Sequence, residues 1–270
     1  MADRFALKLK FDGGDAEQNR LEFYDATTSL HGFAQSLQIA THALINNEII
    51  VRSTALKGAE IYVTAPRSGS VIFDIVTFVE AYPVTAAITA PVFYDFMRYV
   101  FSKAAGYINI TPESSYVTKL NTKDEPFFDD LAETLEGSLQ RGHRAIDNGV
   151  KSITLERPRS ALVTFDHSSS EWVNTRDLNP AVQEIDGNVT RYNSITGNGR
   201  CYIGAVGRIV PFRLDQNFSA AKRGFLTWSL HGNTTSQPKE LRFYAHKIES
   251  ARGELKRIII IDCNRLTTDE

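Results

Sequence analysis

Two cysteines, Cys201 and Cys263, are all that 270 residues contain. Neither belongs to a Cys-x-x-Cys pair, so a thiolate zinc site is not expected, and we read both as half-buried thiols in a reducing compartment. Long hydrophobic runs are also missing. The most apolar stretch, residues 71–101, is interrupted by Asp74, Glu80, Asp95 and Arg98 and broken by Pro83 and Pro91. Its longest uncharged piece, 81–94, is 14 residues, short of the roughly 20 that a membrane-spanning helix needs. Met1-Ala2-Asp3-Arg4 leads straight into alternating residues, with no basic segment before an apolar one. No signal peptide and no membrane span are therefore expected, and the reading is a cytoplasmic protein. Charge of one sign is lacking as well: 30 Lys+Arg stand against 32 Asp+Glu, a net charge of -2. That balance excludes a uniformly basic nucleic-acid-coating protein but leaves room for a local basic patch.

Catalytic signatures are scarce. The chain has no Gly-x-x-x-x-Gly-Lys-[Ser/Thr], no Gly-x-Gly-x-x-Gly after a strand and no Gly-x-Ser-x-Gly, so phosphate-loop and nucleophile-elbow chemistry are not indicated. His143, His167, His231 and His246 show neither His-Glu-x-x-His nor His-x-His spacing. No cofactor and no metal are implied. What remains is ordinary globular material, 42% hydrophobic, 10% aromatic and 23% charged. A chain of this length has room for about two domains of ~150 residues.

The hydrophobic patterning supports two domains of different kind. Phe5, Leu7, Leu9 and Phe11 recur with period two, which predicts a half-buried strand ended by Gly13-Gly14. A short strand is read at 21–24, followed by a helix to about Asn46, capped by Asp25 or Thr27, with Leu30, Phe33, Leu37, Ala40 and Leu44 as its apolar stripe. Strands are expected at 49–56, 59–65 and 70–78, the last two joined by a turn at Pro66-Arg67-Ser68-Gly69. Two longer helices are expected at 86–105 and 127–146. The second carries Asp124, Glu125, Asp129 and Asp130 at its start and Arg141 and Arg144 near its end, as the helix dipole favours. Short strands follow at 152–155 and 161–165.

Polar, turn-forming runs at 168–170 and 176–180 place a boundary near residue 178. Beyond it, six short strands are read at 188–192, 200–206, 208–214, 225–230, 241–248 and 256–262, which predicts a small antiparallel barrel. The fold class is thus α+β: an N-terminal antiparallel sheet with about three helices in residues 1–177, then an all-β barrel in 178–270. The halves differ in sign. Residues 1–177 hold 17 Lys+Arg and 23 Asp+Glu, a charge of -6; residues 178–270 hold 13 and 9, a charge of +4. The second half is the one suited to an anion.

The barrel opens with Gly187, Val189, Tyr192, Asn193, Gly197 and Gly199 in a spacing that resembles the opening of cold-shock domains, small oligonucleotide-binding barrels. Ile209-Val210-Pro211-Phe212 is similar to the family's next binding strand. Gly197 and Gly199 are expected to supply positive φ in the turn, and Asn193 to start it. The resemblance covers about 27 residues and implies an oligonucleotide-binding type of barrel with single-stranded nucleic acid as ligand. Where the family stacks bases on exposed aromatics, this chain has Arg200 and Cys201, with Tyr202 the nearest aromatic. The whole chain also resembles uncharacterised bacterial two-domain proteins, a likeness that carries no residue-level function.

The candidate nucleic-acid-binding set is Arg191, Tyr192, Arg200, Tyr202, Arg208, Phe212 and Arg213, cations to meet phosphate and aromatics to meet bases. The competing reading is that alternating strands put charge toward solvent in any case. A second candidate is the helix at 86–105, apolar around most of its circumference: Phe93, Phe96, Met97 and Phe101 are buried within the chain or form an interface for self-association or a protein partner. Three weaker patterns remain. His31, Gln35, Gln38 and His42 line one polar helix face, solvated or partner-facing. Ser68-Gly69-Ser70 after Arg67 forms an anion nest or a plain hairpin turn. Glu254-Leu255-Lys256 matches the Glu-x-Lys of metal-dependent nucleases, or is an exposed turn after Gly253. The leading expectation is a non-enzymatic cytoplasmic bacterial adaptor. It self-associates or binds a protein partner through its N-terminal domain and binds nucleic acid through its barrel. The alternatives are a purely protein-interaction module and a metal-dependent nuclease.

Overall fold

In the computed structural model, residues 3–51, 56–64, 71–80, 87–108, 110–123, 127–174, 180–234 and 239–266 are described. The chain divides into two compact units, Met1–Asn174 and Thr175–Glu270. The boundary expected near 178 falls in a segment outside the described residues.

The first unit runs β1 (Asp3–Asp12), α1 (Phe23–Asn46), β2 (Ala59–Val63), β3 (Ile72–Val79), α2 (Ala90–Ala104), α3 (Ser115–Lys123), α4 (Phe127–Gly142), α5 (Arg144–Asp147), β4 (Ser152–Arg157), β5 (Ser160–Phe165) and α6 (His167–Val173). Its strands form one antiparallel sheet in the order β2-β3-β1-β4-β5. β1 is the central strand, and its period-two pattern buries Phe5, Leu7, Leu9 and Phe11. Phe5 stacks on Phe93 of α2 at 4.5 Å between ring centroids. α4 contributes Leu131, Leu135 and Leu139, four residues apart on one fully buried stripe. α1 meets α4 and α5 through small side chains: Ser36 shares a 2.7 Å hydrogen bond with Ser138 of α4, and the Ser29 hydroxyl accepts from the Ala145 amide of α5 at 2.8 Å.

Several local expectations give way here. The strand expected at 21–24 does not form: Phe23 and Tyr24 begin α1, and Glu22 is its N-cap, its carboxylate accepting from the Asp25 amide at 2.7 Å. Ile49 and Ile50 lie outside any strand, and 52–55 lie outside the described residues, as do the 65–70 turn with its serine–glycine nest and Asp124 and Glu125. The helix expected at 127–146 is divided into α4 and α5, and α3 and α6 have no counterpart among the expected elements. α6 is only seven residues, held by a capping box in which the Asp166 carboxylate accepts from the Ser169 amide at 2.9 Å and the Ser169 hydroxyl accepts from the Asp166 amide.

The second unit comprises β6 (Gln183–Tyr192), β7 (Asn198–Ile203), β8 (Arg208–Leu214), α7 (Arg223–Thr234), β9 (Leu241–Glu249) and β10 (Leu255–Arg265). The strands close into a barrel in the order β10-β8-β7-β6-β9. All described neighbours are antiparallel except β8 and β10, which run parallel with Ile258 beside Phe212. A closed five-stranded barrel with its helix between the third and fourth strands is compatible with an OB-type fold. The expected strand at 225–230 is part of α7. Leu226, Ser229 and Leu230, three and four residues apart, turn toward the barrel, and the Ser229 hydroxyl accepts from the Val189 amide at 2.9 Å.

Candidate functional site

The alternation of β7 and β8 sorts the barrel residues into two sets. Gly199, Cys201, Ile203, Val210 and Phe212 point inward and are buried. Asn198, Arg200, Tyr202, Ile209, Pro211 and Arg213 are the outward set. The register lays them in rows: Asn198 opposite Arg213, Arg200 opposite Pro211, Tyr202 opposite Ile209. β6 extends the rows, with Arg191 opposite Arg200 and Asn188 opposite Tyr202. A bulge between Val189 and Arg191 makes this possible, because it shifts Arg191 into register with outward Arg200. Three of the expected arginines, Arg191, Arg200 and Arg213, thus share an outer face with Tyr202, which is 41% exposed.

The electrostatics of that face follow from composition. Residues 187–214 contain four arginines and no Asp or Glu, so no carboxylate comes from β7, β8 or the turns that join them to each other and to β6. The β6–β9 side is different. There Asp186 accepts two hydrogen bonds from Arg242, at 2.8 and 2.9 Å, and Glu184 lies 3.4 Å from the same guanidinium. Hydrogen bonding to Arg242 holds the Asp186 carboxyl below the usual carboxylate range. Positive charge on the β6–β9 side is therefore paired with carboxylates, whereas β7 and β8 bring no carboxylate of their own.

Three expected ligand residues are not on this face. Phe212 points inward and is buried. Tyr192 stacks on it at 6.3 Å, its hydroxyl among the buried atoms, and burial pushes its pKa up. Arg208 has the inward parity of Val210 and Phe212; its guanidinium donates to the Leu255 carbonyl, and burial lowers its pKa. The reason is the same in each case: the sequence pattern identifies residue types, but the strand's parity decides which of them reach solvent.

The turn after β6 forms much as its composition suggests. The Asn193 side-chain oxygen accepts from the Ile195 and Thr196 amides at 2.9 and 3.2 Å. Gly197 has φ +79, the left-handed conformation expected of it. Gly199 serves otherwise: a Cβ there would come within 2.4 Å of both the Arg191 carbonyl and the Phe212 ring, so glycine is required for close approach. Arg223, at the start of α7, donates to the Ser194 carbonyl at 3.3 Å and ties the helix to this turn.

The partner-interface expectation on α2 is overturned. Phe93, Phe96, Met97 and Phe101 are each 0% exposed, packed between the sheet, α4 and neighbouring aromatics. These four side chains are apolar because they are buried within the domain, as the first of the two readings had it, while Pro91, Tyr94 and Arg98 form the helix's more exposed side. His31 and His42 do not form a solvated pair either, since His42 is buried in α1. Glu254 is exposed at the end of the β9–β10 turn, but Lys256 is 4% exposed within β10, so the exposed-turn reading holds for one and not the other. Among the described residues, no three His, Cys, Asp or Glu side chains gather closely enough to hold a metal ion. No described helix is long and apolar enough to cross a membrane.

Comparison with known families separates the chain where the structure does. Residues 7–174 match the Domain of unknown function (DUF7946), more than half of the chain. This protein belongs to that family. Residues 181–264, the barrel, match a second, the Family of unknown function (DUF7947). No curated protein and no solved structure matches the chain.

Within the DUF7946 domain two buried polar groups, Asp95 and His143, are committed to its own architecture. Asp95 of α2 accepts from the Glu113 and Ser114 amides at 3.0 and 2.7 Å and from Arg98 at 2.9 Å. Burial pushes this carboxyl up, but the hydrogen bonds from Ser114, Glu113 and Arg98 outweigh it and leave the pKa lowered. His143 is fully buried, with Nδ1 2.7 Å from the Leu139 carbonyl and Nε2 2.8 Å from the Ser169 hydroxyl. Burial lowers its pKa, against the pull of the Leu139 carbonyl, Asp147 and Asp166. Asp95 ties α2 to the segment that leads into α3, and His143 ties the end of α4 to α6.

Proposed function

We propose that the protein is a non-enzymatic nucleic-acid-binding protein whose barrel takes single-stranded nucleic acid on the outer face of β7 and β8. The observation that carries this reading is the grouping of Arg191, Arg200 and Arg213 with Tyr202 on one face, within a 28-residue stretch free of carboxylates. Arginine offers phosphates several donors in one plane, and Tyr202 offers a base one stacking platform. The face is the one that OB-type barrels use, and the cold-shock-like opening at Gly187–Gly199 supports the same choice. One exposed aromatic against three cations argues for binding through the backbone, tolerant of sequence. The test is fluorescence anisotropy of labelled oligonucleotides on the full chain and on Arg200→Ala. Micromolar or tighter binding that weakens in the variant supports the reading; no binding of single-stranded DNA or RNA at low salt removes it.

A second reading rests on a specific feature of the same face. Tyr202 and Ile209 are adjacent cross-strand partners, 41% and 47% exposed, and Val206 in the intervening turn is 40% exposed. That apolar end fits a protein ligand. Ile209→Asp would then abolish partner capture while leaving any oligonucleotide binding in place.

A further inference from the structure

Phe225 and Trp228 lie three residues apart on α7, on one side of the helix. Arg265, at the end of β10, stacks against both, its guanidinium carbon 4.8 Å from the Phe225 ring centre and 4.6 Å from that of Trp228. The Lys239 ammonium sits 5.4 Å from the Trp228 ring centre. Stacking engages the face of a guanidinium and leaves its in-plane N–H donors pointing outward. Among the described residues, no acceptor engages those donors of Arg265, which is exposed. Lys222, in the turn just before α7, is different, since it is spent on Asp262 and Asn264 at 2.7 and 3.0 Å.

This ladder is joined to the β7–β8 face. Arg213 pairs with Asn198 at the end of that face, and the Leu214 amide donates to the Gly197 carbonyl of the β6–β7 turn. The turn in turn accepts from Arg223 at Ser194. α7 starts at Arg223, so Arg213, the turn, Arg223 and the Phe225–Arg265–Trp228–Lys239 stack follow one another around one end of the barrel. Arg223 and Arg265 are exposed along this path.

We infer that the bound strand does not stop at the sheet: it passes the β6–β7 turn and places further phosphates on Arg223, Arg265 and Lys239. This rests on the nucleic-acid reading given above and adds a second contact region to it. The aromatics do not stack bases here. They hold the two cations in place, so that less side-chain entropy is lost when phosphate arrives.

The experiment measures anisotropy of labelled oligothymidylates and oligouridylates of about 4 and about 12 nucleotides, lengths near the two ends of the ~4–16 nucleotide sites of such barrels. The full chain is compared with Arg265→Gln/Lys239→Gln and, separately, with Arg223→Gln. The double variant is expected to bind the longer oligomer about tenfold more weakly, with its salt slope reduced by about 1.4 for two lost single-strand phosphate contacts. The shorter oligomer should bind as it does to the unaltered chain, which also shows that the barrel is intact. Unchanged binding of the longer oligomer overturns the inference and leaves the β7–β8 reading standing, as does equal weakening of both lengths. Failure of the unaltered chain to bind either length overturns both. Inorganic phosphate that competes only with the longer oligomer further supports a separate phosphate site; equal competition against both contradicts it.

Discussion

Arg191 and Arg200 are directly opposed cross-strand partners on the outer wall of the barrel, two like charges at adjoining positions of a sheet. Like charges directly opposed on a sheet face work against folding. On the reading proposed above, the two guanidinium groups meet adjacent phosphates. Replacing Arg200 with Ala is therefore expected to weaken single-stranded binding about tenfold, one decade being about 1.4 kcal/mol. The melting temperature should change little, because an outward charged side chain contributes little to stability. A fall of several degrees with unchanged binding would make Arg200 a structural residue.

The α1–α4 crossing supplies a paired prediction about stability. A Cβ on Gly32 would fall 2.3 Å from the Gly142 amide nitrogen and 2.5 Å from the Ser138 carbonyl oxygen, both backbone atoms. Gly137, on the same α4, has nothing within 4 Å. Gly32→Ala should destabilise by about 1–3 kcal/mol, the cost of overpacking. Gly137→Ala should stabilise by about 0.4–1 kcal/mol through helix propensity and a less disordered unfolded state. Denaturant melts of the two variants should move in opposite directions.

How much of this was legible beforehand depended on whether a pattern was local. β1 and the long helices were readable because Phe5–Phe11 alternates and Leu131, Leu135 and Leu139 repeat at one helical spacing. The strand misread at 225–230 was short and apolar, a length at which period two and period 3.6 are hard to separate. Only the docking of Leu226 and Ser229 against β6 decides it. The site was half legible. Arg200, Tyr202 and Arg213 could be named from composition, but Tyr192, Phe212 and Arg208 fail on parity. Arg191 reaches the face through a bulge that no residue type announces. The Arg265 stack joins positions 40 residues apart and had no sequence signal beyond the aromatics themselves.

His143 should make the DUF7946 domain acid-sensitive in a definite window. Its folded pKa is lowered by burial, so the unfolded chain binds the proton first. Stability is full above the unfolded value of ~6.5, falls as pH drops below it, and levels off for this group below the folded pKa. In His143→Leu, stability at neutral pH should be lower, with the Ser169 hydroxyl left without its ring partner. Its slope against pH between ~6.5 and the onset of carboxylate titration should be flatter. Urea melts at a series of pH values read both; an unchanged slope would place the acid sensitivity elsewhere.

Asp95 acts at lower pH and with the opposite origin. Its folded pKa lies below the unfolded value, so its contribution is present above ~3.9 and is lost as pH falls through the folded pKa. Asp95→Ala leaves the Glu113 and Ser114 amides and Arg98 without this acceptor. The expected loss is about 1–3 kcal/mol at neutral pH. The gap between variant and parent should narrow in acid. A gap that is constant down to the acid transition would mean that the carboxylate's charge contributes nothing.

The most direct test of the central claim is the salt dependence of single-strand binding to the full chain. Three arginine–phosphate contacts on the β7–β8 face predict a log–log slope steeper than about -2, at about -0.7 per contact. Measured with an oligomer of about 4 nucleotides, too short to reach α7, replacing Arg191, Arg200 and Arg213 together with Gln should bring that slope toward zero while the barrel still melts cooperatively. A slope that is shallow in the unaltered chain, or that survives the loss of all three arginines, would contradict the assignment of this face to nucleic acid.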